Sequence, residues 1–274
     1  MERENQLIIV RGGGDIATGT IHKLHRCGYP VLVLETAAPS AIRRQVALSE
    51  AVYDGVSEVE GAECVRVSGW KEAKEILSRG QIPLLVDPEC KILEEVKPWA
   101  LVDAILAKKN LGTIRDMAPK TIGLGPGFEA GKDVDLVIET NRGHNLGRII
   151  GRGCAQPDTG VPGVIAGYGK ERVIHSPAMG IFRARTRIGD KVRKDEPIGV
   201  VVTGQGEVEV PATLDGILRG LIRNGYPVTK GFKIADIDPR ESEYENCFTI
   251  SDKARCIAGS VLEALLYLET KEGA

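Results

Sequence analysis

The chain has 274 residues and a mass of 29.5 kDa, enough for one large domain or two modest ones, and 42% of it is hydrophobic, which supplies a sizeable core. Its 36 basic and 38 acidic side chains leave a formal charge of −2. No long-range field therefore gathers nucleic acid or an anionic membrane, and neither is an expected partner.

The charged start Met1-Glu-Arg-Glu-Asn5 runs into only a short apolar stretch, which reads as neither a signal peptide nor a membrane span. Residues 7–10 form a buried-strand pattern, 16–26 carry apolar residues at helical spacing, and 31–34 read as strand again, a β-α-β unit. Helical stretches are expected at 42–51 and 70–79. Further apolar runs at 83–86, 100–106, 121–124 and 136–138 predict more strands, several ending in Asp, Glu or Gly. Such alternation argues a Rossmann-like doubly wound parallel sheet, placed at residues 1–168. Residues 143–169 are glycine-rich and carry no clean periodicity, so the domain junction falls near their end.

Beyond the junction, Gly180, Gly189, Val192 and Ile198 recur 36 positions later as Gly216, Gly225, Val228 and Ile234. Each half is too small to bury its own face, so the halves should interlock as a β sandwich over 169–240. That arrangement is similar to the barrel-sandwich domains of biotinyl and lipoyl carriers. Carriers hold the modified lysine at the hairpin between the repeats; Val202-Thr-Gly-Gln-Gly-Glu207 has none, which rules out covalent biotin or lipoate by that chemistry. Residues 241–274 are expected to end in a helix packing on the rest, with Ser251 as N-cap, Asp252 in the first turn, and Ile257, Val261, Leu262, Leu265, Leu266 and Leu268 as its apolar face.

The strongest local signal is Gly12-Gly13-Gly14-Asp15-Ile16-Ala17, a G-x-G-x-x-A pattern between a predicted strand and helix. Gly12 would make the tight turn, Gly14 would admit a phosphate, Ala17 would let helix pack on strand, and Thr18 would add a hydroxyl. Glu35 ends the second strand, where a carboxylate accepts from ribose hydroxyls and favours NAD over NADP. Arg11 before the loop and the acidic Asp15 argue the other way, and a plain structural turn is the competing reading.

Gly123-Leu-Gly125-Pro-Gly127-Phe128 and Glu139-Thr140-Asn141-Arg142-Gly-His144 follow later strands, so they can face the same crevice as the first loop. The alternative is an Arg142–Glu139 pair beside an ordinary polar His144. Asp103 and Lys108-Lys-Asn-Leu-Gly-Thr113 form a further loop, either phosphate-holding or solvated. Arg43 and Arg44 open a predicted helix as a solvated face or an anion fork. His22 and His25 have a zinc-compatible spacing but no visible third ligand, so no metal is expected. Cys154 is either an exposed acceptor thiol or an inert, partly buried one. The cysteines lie at least nine positions apart, which excludes a C-x-x-C pair and fits a reduced cytoplasmic chain.

Taken together, Arg11-Gly-Gly-Gly-Asp-Ile-Ala-Thr-Gly19, Ala41-Ile-Arg-Arg44, Ser49-Glu-Ala-Val-Tyr-Asp-Gly55, Asp103-Ala-Ile-Leu-Ala-Lys-Lys-Asn-Leu-Gly-Thr113, Gly123-Leu-Gly-Pro-Gly-Phe128, Glu139-Thr-Asn-Arg-Gly-His144, Asp236-Ile-Asp-Pro-Arg240 and Ser251-Asp-Lys-Ala254 resemble the YqeB family of selenium-dependent molybdenum hydroxylase system proteins. The resemblance covers almost the whole chain. It implies accessory work in the maturation of molybdenum hydroxylases. The expected ligand is an anionic cofactor, molybdenum cofactor (molybdopterin) or NAD(P), held in the crevice. The expected partners are a molybdenum hydroxylase client and a second copy of the chain. An NAD(P)-dependent oxidoreductase and a non-catalytic scaffold or sensor stand as alternatives, and the sequence leaves open whether the chain is an enzyme.

Overall fold

The computed structural model describes residues 3–160 and 163–272. Met1 and Glu2 of the charged start lie outside the described residues. The chain divides into two compact units, one made of Met1–Pro39, Ala47–Thr159 and Ile250–Ala274, the other of Ser40–Val46 and Gly160–Thr249.

In chain order the first unit begins with β1 (Ile8–Arg11), α1 (Asp15–Arg26) and β2 (Val31–Glu35), then α2 (Ala51–Asp54), β3 (Val56–Val59), β4 (Ala62–Val67), α3 (Trp70–Ser78), β5 (Ile82–Val86) and β6 (Ala100–Asp103). It continues with β7 (Thr121–Leu124), β8 (Glu129–Ala130), β9 (Leu136–Ile138), β10 (Ile149–Ile150) and β11 (Gly153–Cys154). Nine of these strands make one sheet in the order β10-β9-β7-β6-β1-β2-β5-β4-β3. From β9 to β4 the neighbours are parallel, whereas β10 and β3 add antiparallel edges. The central strand β1 is buried at every residue, which is why it reads as a continuous apolar run instead of an alternating one. Ile9, Leu32, Leu34 and Leu101 join Ala73 and Ile76 of α3 in one core cluster, and strand alternation turns Ile8 and Val10 to the other face.

The second unit carries β12 (Val173–His175), β13 (Gly180–Ala184), β14 (Lys191–Val192), β15 (Pro197–Thr203), β16 (Gly206–Pro211), β17 (Gly216–Leu221), β18 (Pro227–Val228) and β19 (Lys233–Asp238). They form two four-stranded sheets, β12-β19-β17-β14 and β16-β15-β13-β18. The 36-residue repeat returns as β13/β17, β14/β18 and β15/β19, and the short strands are exchanged: β14 pairs with β17, and β18 with β13. Phe182, Val192, Ile198, Val201, Leu218 and Ile234 fill the core between them.

The chain then returns to the first unit with α4 (Asp252–Glu272). Ala254, Ile257, Ala258, Val261, Ala264 and Leu265 are its buried stripe, while Leu266 of the expected apolar face is 39% exposed. The stripe includes small residues because α1 approaches closely: a Cβ on Gly19 would lie 2.8 Å from the Ala254 Cβ. Among the described residues no helix is long and apolar enough to cross a membrane.

The expected doubly wound parallel sheet needs correction. Both sheet edges are antiparallel, and only the β1–β2 and β4–β5 connections carry a helix of more than two turns. The expected helix at 42–51 breaks into 3-10 turns at Arg44–Val46 and Leu48–Glu50 before the single turn of α2. Backbone partners available there outcompete an isolated helix: Leu221 N donates to Ile42 O within the second unit, and Ser49 N donates to Gly13 O within the first.

Candidate functional site

Loops after β1, β6, β7 and β9 leave the same, carboxyl-terminal edge of the first unit's sheet, because those strands are parallel neighbours. The three glycines of the first loop differ in role. Gly12 has φ +93°, and a Cβ there would lie 3.0 Å from Ala104 O. A Cβ on Gly13 would lie 3.0 Å from Ser49 N, whose amide donates to Gly13 O at 2.8 Å. Both are demanded by the chain's own packing. Gly14 is extended, at φ −64° and ψ 178°, caps α1 without a side chain, and has no protein atom within 4 Å of a Cβ position. Asp15 opens the helix behind it, and Ala17 is fully buried.

Thr18 Oγ1 donates to Gly13 O at 3.2 Å and accepts from Leu48 N at 3.0 Å, so its hydroxyl pins the loop to the 3-10 turn at Leu48–Glu50. Ser49 in that turn is fully buried, and its hydroxyl has no hydrogen-bond partner among the described residues. Glu35 accepts from Gly13 N at 2.8 Å and from Thr36 N at 2.7 Å. Burial raises its carboxyl above the usual range while these amides pull it back. One oxygen thus holds the glycine loop and the other the backbone of the next residue.

Arg11 is buried in a network of its own. It pairs with Asp103 at 3.1 Å, donates to Thr113 Oγ1, and reaches Pro88 O at 2.9 Å and Leu111 O at 3.3 Å. Thr113 Oγ1 donates to Asp103 at 2.6 Å, and Asn110 holds the turn by accepting from Gly112 N and Thr113 N. The 103–113 loop is thus shaped from inside. Lys108 pairs with Asp158 at 2.6 Å, both side chains substantially exposed.

Gly125 and Gly127 also serve packing. Both have positive φ, and their Cβ positions would lie 2.5 Å from Thr140 Oγ1 and 2.6 Å from Lys109 Cα. Glu139 is buried and accepts from Asn141 N at 2.7 Å and Gln156 N at 2.8 Å, while Asn141 Nδ2 donates to Gln156 at 2.9 Å. Arg142 therefore pairs not with Glu139 but with Asp252, through two 3.0 Å bonds. His144 is exposed on the same turn.

Lys253 is a candidate site residue that the sequence reading passed over. Burial lowers its ammonium below the ordinary lysine value and nearby Arg142 adds to this, while Asp15, Asp158 and Glu139 oppose it. The geometry thus brings the β1 loop, the β9 loop and the start of α4 together at Lys253. A signal existed in the sequence: a lysine in the first turn of a helix opposes the macrodipole, which favours acids there. Ser251, its neighbour, caps α4 by accepting from Ala254 N at 3.2 Å.

The remaining candidates lie elsewhere. Arg43 donates to Asn246 O and Thr249 O, and Arg44 to Leu221 O, all within the second unit. His22 and His25 belong to no group of three or more potential metal ligands among the described residues. Cys154 is exposed on β11, which pairs with β8.

No family model matches the sequence. A protein of Escherichia coli (strain K12) described as "Uncharacterized protein YqeB" is 51% identical over 264 residues, 96% of this chain. The match supports membership of the YqeB family. The chain spans about half of that relative's length, 48%. Similar solved structures include a succinylglutamate desuccinylase/aspartoacylase from Rhodobacter sphaeroides, at 16% identity and TM-score 0.28 over 85% of each chain. An aspartoacylase family protein from Mesorhizobium loti matches at 13% identity and TM-score 0.30 over 85% of each chain. The product-bound ectoine utilization protein EutE from Ruegeria pomeroyi matches at 12% and 0.24, over 84% of this chain and 56% of that one.

These findings correct two expectations. The relative's description gives no link to selenium or to molybdenum hydroxylases, so the maturation role is not carried forward. The mixed sheet described above, with its antiparallel edges, replaces the Rossmann-like plus barrel-sandwich assignment.

Proposed function

We propose that this YqeB-family chain binds a small molecule through an acidic group, phosphate or carboxylate, at Gly14 and the start of α1, with Lys253 as the facing cation. The observation that carries this reading is Gly14. Its conformation is open to any residue and nothing in the fold fills the space before it, whereas Gly12 and Gly13 are glycines for reasons internal to the chain. A helix start without a side-chain cap offers amides and positive dipole to an anion. Asp15 would oppose such a ligand, and Lys253 offsets that carboxylate. The nearby Arg142–Asp252 and Lys108–Asp158 pairs are internally neutralised and shape the rim.

The test is calorimetric titration with inorganic phosphate and acetate, then with NAD, NADP and molybdenum cofactor as larger carriers of an acidic group. Gly14→Asp introduces a side chain that caps helices well and adds like charge, so it should retain the melting temperature and lose binding. Lys253→Met should weaken binding by about tenfold or more, as expected for a charge-assisted contact of about 1.5–3 kcal/mol. Affinities unchanged in both variants would sink the reading.

A further inference from the structure

At the opposite edge of the same sheet, the first unit holds a cavity of about 860 Å3. Leu7, Pro30, Gln81 and Val96 line it, and they lie at or shortly before the starts of β1, β2, β5 and β6, at the amino-terminal edge and away from Gly14. One wall is α3, whose Trp70, Lys74, Leu77 and Ser78 recur on a single side of the helix. The volume lies within the roughly 300–1,000 Å3 of small-molecule sites.

We infer that this cavity takes a neutral, planar heteroaromatic molecule, held against the Trp70 indole. Trp70 lines the cavity and is only half-buried although it packs on the core cluster beside α3, and the side chain over its ring, Lys74, is exposed and long enough to move aside for a ligand. Flat rings stack on such a surface with little ordering cost. The charged side chains that line it balance, Glu4 and Glu95 against Lys74 and Lys97, so the site holds no net charge with which to select an ion. Lys97 is already occupied, donating to Leu93 O at 3.0 Å, and the Lys74 ammonium lies 5.9 Å from the Trp70 ring centre. Polar groups suited to a heteroaromatic edge are present as well. Gln81 donates its amide to Glu63 and keeps its carbonyl oxygen as an acceptor. His25 is half-buried, and its burial favours the neutral imidazole, with one donor and one acceptor. Apolar walls with a few convergent polar groups are the usual composition of a small-molecule site.

The chain has two tryptophans. Trp99 stacks on Tyr29 at 5.8 Å and does not line the cavity, so Trp99→Phe leaves Trp70 as the fluorescent reporter. Titrating that variant with quinazolin-4-one should give saturable quenching. The anionic quinoline-2-carboxylate and the cationic N-methylquinolinium should bind at least tenfold more weakly. Adding Ser78→Phe, an exposed position that fills the cavity, should abolish the quenching. Trp70→Leu read by calorimetry is a second blocking variant with the same expected loss. Gly14→Asp should leave the quenching unchanged, which separates this site from the anion site. Absence of saturable quenching, a preference for either ion, or binding that survives both blocking variants would overturn the inference.

Discussion

Arg11 closes β1 with its guanidinium out of water, and four protein groups compensate it: Asp103, Thr113 and the carbonyls of Pro88 and Leu111. Its pair with Asp103 leaves the two side chains 4% and 2% exposed. Removing one partner of such a pair strands the other charge in low dielectric, at a cost of about 3–5 kcal/mol. Asp103→Ala should therefore lose most of that stability in urea denaturation, whereas the exposed Lys108→Ala, whose pair with Asp158 lies in solvent, should change stability by less than about 1 kcal/mol. Equal effects would mean that the Arg11 network is not what shapes the 103–113 loop. The contrast bears on the site, since Ala104 O and Ile105 Cα at the root of this loop are what Gly12 packs against.

The packing of α1 on α4 includes a close approach of Gly19 to Ala254 and places Lys253 near Asp15. Gly19→Val should overpack this contact, lowering stability by about 1–3 kcal/mol and, by moving Lys253, weakening anion binding as well. Gly19→Val with Ala254→Gly should recover part of both. If the single variant melts like the parent, the two helices are not in register through this residue. Much at this scale was legible in the sequence. Residues 70–79 and 251–268 carry helical periodicity and became α3 and α4, and residues 7–10 and 31–34 became β1 and β2. The stretch 42–51 misled because its spacing is helical while its amides find partners elsewhere, in Gly13 and Thr18. Glu35 was legible as a strand-end carboxylate, but which donors would reach it first was not. A glycine loop likewise does not state which of its glycines serve the chain; that required the contacts of Ser49 and Ala104. Lys253 enters the site from the far end of the sequence, a closure that local spacing does not encode.

Across the molecule, the response of stability to pH follows from groups that the two units hold differently. In the first unit, burial lowers His22 and His25 from the ordinary 6.5; for His22, Glu60 works against the shift, and for His25, His22 adds to it. Between the lowered values and 6.5 the unfolded chain binds more protons, so stability is complete above about pH 6.5 and falls as pH drops through the folded values. Glu35, raised above 4.5 by burial, has the opposite sign: its contribution is lost as pH rises through its folded value, which offsets part of the histidine slope above pH 4.5. In the second unit, burial pushes Asp238 upward, but its bonds to Arg240 outweigh that and hold it below 3.8, so its stability is lost only as pH falls further. Differential scanning calorimetry from pH 4 to 8 should therefore show the first unit's transition rising toward neutrality while the second unit's stays level, with separate peaks if the units unfold independently. His22→Asn with His25→Gln should flatten that rise, and Glu35→Gln should steepen its acid side. A slope unchanged by the double histidine variant would place the acid sensitivity in carboxylates instead.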